Sequence, residues 1–107
     1  MQEILNELIK IKGVIGAFIL EKDGTIAANA GKFGTIPIKS MADEIKAFAR
    51  TPVIDKNLPK WIQFSYQNMI VLILNRANVL IVTLYQPNVE VALIRLTLEV
   101  ATSKLKK

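Results

Sequence analysis

Cysteine and histidine are both absent from the 107 residues of this chain. Without them there is no disulfide framework, no thiol or imidazole nucleophile, no imidazole general base, and no zinc site built on His or Cys. No run of five or more like charges occurs, so no highly charged tail is evident. A phosphate loop is also missing. Gly31-Lys32-Phe33-Gly34-Thr35 lacks the spacing that wraps phosphates in backbone amides, and it reads as an ordinary loop. Clustered oxygen ligands for a metal are not seen, and Glu3/Glu7 and Asp43/Glu44 read as solvated helix exteriors rather than acid–base pairs. These absences argue against an enzyme, and no cofactor or metal is expected.

What is present describes a folding chain. Apolar residues make up 51% and charged residues 21%, which opposes disorder. A chain of this length buries roughly 65% of its unfolded surface, enough for one modest core but little room for a deep active site. One domain over residues 1–107 is expected. The net charge of +5 raises a second possibility, a basic module for nucleic acid or an acidic membrane surface. Its distribution opposes that: residues 1–54 carry seven Lys/Arg against six Asp/Glu, and residues 55–107 carry seven against three. Three of the latter cations, Lys104, Lys106 and Lys107, lie at the C-terminal end. Nucleic acid is therefore not expected as a partner.

The N-terminus has no basic start and no long apolar run, so no signal peptide is expected. Met69–Tyr85 is the most apolar stretch, but Asn75, Arg76 and Asn78 at its centre would be costly in a bilayer. Two strands around a turn fit better than a membrane span. The expected location is cytoplasmic.

Element by element, Ile4, Leu5, Leu8 and Ile11 recur at helical spacing over residues 1–12, with Gly13 at the stop position. Val14–Leu20 is apolar on both faces, as a central strand requires, and Gly16 within it implies close approach of a packed element. Asp23-Gly24 predicts a two-residue primed turn leading to a strand over Thr25–Ala30. Ile38, Met41, Ala42, Ile45, Phe48 and Ala49 mark a second amphipathic helix, with Asp43, Glu44, Lys46 and Arg50 on its polar side. Pro52 ends it, and the segment Thr51–Lys60 reads as a loop.

Trp61–Gln67 alternates, with Ile62, Phe64 and Tyr66 on one face and Trp61, Gln63, Ser65 and Gln67 on the other, which suits a sheet edge. Met69–Leu74 and Val79–Tyr85 read as strands with a turn at residues 75–78. Asn88 is placed to cap a last helix whose apolar set is Val89, Ala92, Leu93, Leu96 and Val100. The order is αββαβββα, an α/β (α+β) arrangement.

That order, with the stretch Ile11-Lys12-Gly13-Val14-Ile15-Gly16-Ala17-Phe18-Ile19-Leu20-Glu21-Lys22-Asp23-Gly24, resembles the roadblock / dynein light-chain family. The shared pattern is a helix ending in Gly-Val-x-Gly-Ala, a strand, Asp-Gly and a second strand. The resemblance implies a profilin-like fold, a five-stranded antiparallel sheet with the first and last helices on one face and the middle helix on the other. It also implies a dimer, with itself or with a paralogous roadblock protein, paired through the third strand into a ten-stranded sheet. Met41, Ile45, Phe48, Trp61, Ile62, Gln63, Phe64, Ser65 and Tyr66 would then form the dimer interface. Many relatives continue the middle helix where Thr51–Lys60 carries two prolines.

By the same resemblance the chain would be a non-catalytic scaffold that binds or regulates a small Ras-like GTPase. The mixed charges of the middle helix, with Asp43, Glu44, Lys46, Ala47 and Arg50, suit orientation of such a partner. Arg50 has two readings, an arginine finger or a cation favoured by the helix dipole, and the second is preferred. Trp61 also has two, core residue or interface anchor, and the anchor is preferred because its face is otherwise polar.

Overall fold

The computed structural model describes residues 2–103, except 22, 35, 50–59, 67, 77 and 78. Three helices and five strands occur among the described residues: α1 (Gln2–Ile9), β1 (Val14–Glu21), β2 (Ile26–Gly31), α2 (Ile38–Ala49), β3 (Trp61–Tyr66), β4 (Met69–Arg76), β5 (Val79–Tyr85) and α3 (Val91–Thr102). The strands form one antiparallel sheet in the order β2-β1-β5-β4-β3.

Alternation along the three central strands divides the core in two. Ala17, Ile19, Leu72, Leu74, Ile81 and Tyr85 meet Ile4, Leu5 and Leu8 of α1 and Ile94 and Leu98 of α3. Phe18, Leu20, Val71, Ile73, Leu80, Val82 and Leu84 meet Met41, Ala42 and Ile45 of α2 on the other face. Continuous apolar runs were the signature of strands covered on both sides, and these strands are. The helices lie as the resemblance implies, α1 and α3 on one face and α2 on the other.

The edge strands are half-buried. In β2 the register against β1 shifts between Ile19 and Leu20. That irregularity turns Ile26 toward the α2 layer, whereas Ala28 and Ala30 pack toward α1 and α3. Gly16 and Gly31 pair across β1 and β2, and the Phe33 ring lies on Gly16, where an added Cβ would sit 2.7 Å from it. The ring meets Phe18 edge-on with centroids 6.3 Å apart. The close approach inferred from Gly16 is thus made by an aromatic side chain folded back from the following loop.

Several expectations are corrected. The first helix ends at Ile9, and Ile11 packs on the core after the helix has stopped. The hairpin closes between Glu21 and Thr25, with Gly24 N–H donating to the Glu21 carbonyl at 2.8 Å, so its loop has three residues rather than two. Gly24 takes φ +98° there, the left-handed residue of a three-residue loop. Gly31 belongs to β2, and β4 continues through Asn75 and Arg76, paired with Leu80 and Val79.

The largest correction concerns α3. It starts at Val91 after Glu90, with no side-chain cap hydrogen bond, so Asn88 does not cap it. Its buried residues are Ile94, Leu98 and Thr102, while Leu93, Leu96 and Val100 are exposed. Among the described residues, no helix is long and apolar enough to cross a membrane.

Candidate functional site

Helical periodicity settles which residues α2 offers outward. Positions 38, 41, 42 and 45 face the sheet, and Met41 and Ile45 are only 1% and 3% exposed. Both were expected in a dimer interface. They are instead spent on the core of their own chain, because the apolar stripe of a single amphipathic helix covers one surface only. The Phe48 side chain, Arg50 and residues 51–59 lie outside the described residues.

Asp43, Glu44 and Ala47 are exposed on the outer side of α2, as the sequence expectation placed them, and Lys46 is half-buried. Its aliphatic chain lies over the β1–β2 loop, so that a Cβ added at Gly24 would come within 2.6 Å of Lys46 Cδ. Lys46 thus links α2 to that loop as well as adding charge to the helix surface. The neighbouring Asp23 carboxylate accepts the Thr25 backbone N–H at 2.9 Å. That bond, then one from the Thr25 side chain and the nearby Lys46 charge, hold Asp23 below the usual carboxylate range. A depressed folded-state pKa contributes stability above the ordinary carboxylate value and loses it as pH falls through the lower one. An NMR titration should show Asp23 protonating below the usual carboxylate range. In Lys46→Gln the Asp23 midpoint should rise.

A groove of about 380 Å³ runs between α2 and β3, lined by Met41, Glu44, Ile45, Ile62, Gln63 and Phe64. β3 pairs with β4 alone, and its outer edge has no strand partner among the described residues. Ile62, Phe64 and Tyr66 are half-buried toward the α2 layer, and Gln63 and Ser65 are exposed. The sequence Trp-Ile-Gln-Phe-Ser-Tyr carries no Lys or Pro, residues that normally guard an exposed edge.

Trp61 points to the opposite face and packs partly against the α1/α3 core. The Arg95 guanidinium lies 4.8 Å from its ring centroid and the Lys60 ammonium 6.0 Å. Lys60 in turn pairs with Glu99 at 3.1 Å. The tryptophan is therefore flanked by cations, one from α3 and one from the residue before β3. Sequence reading missed Arg95 and Glu99, since nothing local ties them to a residue more than thirty positions earlier. Their one trace was an opposite-charge spacing of one helical turn.

No family model and no curated protein matches the chain. Solved structures do. MglB of Myxococcus xanthus superposes with a TM-score of 0.80 at 17% identity, over 98% of this chain and 93% of that one. The gliding protein MglB of Thermus thermophilus gives 0.78 at 16%, over 94% and 82%. A Roadblock/LC7 domain of Streptomyces avermitilis gives 0.77 at 10%, over 98% and 93%. The fold of this chain is the roadblock fold.

Proposed function

We propose that the chain is a non-catalytic, two-fold regulator that binds a small Ras-like GTPase, as an activating protein or an adaptor. The observation that carries this reading is the division of labour around α2. Its apolar face is used on its own sheet, its outer face presents Asp43 and Glu44, and the adjoining β3 edge has no strand partner among the described residues. Two copies joined edge to edge through β3 would set their α2 helices side by side. The doubled surface is wide enough for an interface of standard size, about 800 Å² per partner. A single GTPase on a two-fold surface binds asymmetrically, giving two chains per GTPase. Such a regulator acts by positioning groups of the GTPase itself, in keeping with the scarcity of catalytic side chains in the sequence.

The test uses Asp43→Lys with Glu44→Lys, two exposed positions whose change leaves the core intact. Lys46 is spared because it also holds the β1–β2 loop. Tagged protein is recovered from its source cell, and retained proteins are identified by mass spectrometry. A small GTPase should be retained by the wild type and bound at least about tenfold more weakly by the double variant. Equal retention by both would move the docking face away from α2.

A further inference from the structure

On the α1/α3 side of the sheet, the edge strand β3 and helix α3 meet at Trp61. The Arg95 guanidinium lies over the ring at 4.8 Å and the residue remains exposed. Glu99, one turn further along α3, is taken by Lys60 at 3.1 Å. Among the described residues, no ion pair or hydrogen bond engages the Arg95 guanidinium. Strand β3 pairs with β4 without a bulge, so alternation puts Gln63 and Ser65 on the same face as Trp61. Both are exposed, and neither side chain makes a hydrogen bond among the described residues. An uncommitted cation and two uncommitted polar groups therefore share one side of the sheet at its β3 margin.

We propose that this margin docks an acidic segment of a partner protein, with one carboxylate seated on Arg95. A guanidinium offers paired N–H donors that match the two oxygens of a carboxylate. Binding normally costs a long side chain its freedom, but contact with the Trp61 ring already restricts Arg95, so less is lost. Charge selects the class of anion. Arg95 is a single uncommitted cation, because the Lys60 ammonium, 6.0 Å from the same ring, is paired with Glu99. One guanidinium balances a carboxylate, whereas a phosphoryl group, with nearly two charges, is typically met by a cluster of them. An extended segment lying along β3 would also bring its polar groups to Gln63 and Ser65, about 7 Å apart on the strand. The site goes beyond the proposed GTPase contact and does not depend on it. Helix α2 covers the opposite face of the sheet, and pairing through β3 uses the strand's edge rather than this face.

Trp61 is the sole tryptophan of the chain, so its fluorescence reports on the site directly. Titration with hexaglutamate should change that emission to saturation, and hexalysine should not. Calorimetry of the same titration gives the affinity. Arg95→Gln should weaken binding at least about tenfold. Arg95→Lys keeps the charge without the paired donors and should weaken it at least about threefold. Lys39→Gln removes an equal charge at an exposed position of α2 and should leave the affinity unchanged. Equal losses in Arg95→Gln and Lys39→Gln would mean attraction by net charge alone and would overturn the proposal. An Arg95→Lys variant as tight as the wild type, or constant Trp61 emission up to millimolar hexaglutamate, would do the same. So would Arg95-dependent saturation by tripolyphosphate without hexaglutamate binding, which would make a phosphate the ligand.

Discussion

Gly31→Ala is expected to lower the unfolding temperature by roughly 12–20 °C, corresponding to about 3 kcal/mol for a domain of this size. Two costs coincide at this position. Gly31 takes φ +109°, a conformation that L side chains rarely adopt, worth about 1–3 kcal/mol of strain. The new Cβ would also stand 2.5 Å from the Gly16 Cα and 2.6 Å from the Ile15 carbonyl oxygen, both backbone atoms of a central strand that cannot swing aside. Gly34 supplies the control. It too has positive φ, +58°, but nothing lies within 4 Å of an added Cβ. Gly34→Ala should therefore cost only about 1 kcal/mol. Thermal unfolding of the two variants side by side decides the matter, and equal shifts would mean that crowding at the β1–β2 pairing contributes nothing.

The second large effect concerns assembly. Phe64→Lys should halve the mass read by light scattering at low micromolar concentration, toward the 11.9 kDa of a single chain. Phe64 lies at the middle of β3 and lines the groove against α2. In an antiparallel pairing of two β3 strands about their centre, it sits next to its own counterpart. Lysine there brings like charges together across the pair, and lysine is the residue by which edge strands commonly resist pairing. Because Phe64 also touches the core, Ser65→Lys is the companion variant. Its side chain is exposed, so it perturbs the single chain little and should lower the mass in the same direction. A mass of 11.9 kDa already in the wild type would refute pairing through β3.

The parts of the fold legible in the sequence were those where one surface decides the pattern. Amphipathic α2 and the doubly apolar β1, β4 and β5 are of this kind, since alternation and helical period report directly what lies above and below them. Helix α3 misled because it carries two apolar stripes. Leu93, Leu96 and Val100 fit the helical period as well as Val91, Ile94 and Leu98 do, and periodicity cannot tell which stripe meets the sheet. Met41 and Ile45 posed the opposite difficulty. Their apolar character was evident, but only the structure shows that both are buried in the core between α2 and the sheet. The Asp23-Gly24 pair marked the hairpin correctly and left the loop length open, since Gly24 serves equally in a primed turn or as the left-handed residue of a longer loop. At Trp61, local pattern recorded polar neighbours along β3, and the cations that cover the ring arrive from other segments.

The strand order also bears on how the chain reaches its fold. Strands β1 and β2 are neighbours in sequence, and so are β3, β4 and β5, so each group can zip up from a nearby turn. One seam is different. β1 joins β5 along the middle of the sheet, bringing Leu20 beside Leu80 and Phe18 beside Val82. Topology of this kind slows folding, because the seam must close a long loop before its contacts can repay the lost chain entropy. Yet that entropy grows only logarithmically, each doubling of the enclosed length adding about 0.6 kcal/mol. The connection between α2 and β3 can therefore vary in length at small thermodynamic cost. The side chains that meet across the seam have no such latitude.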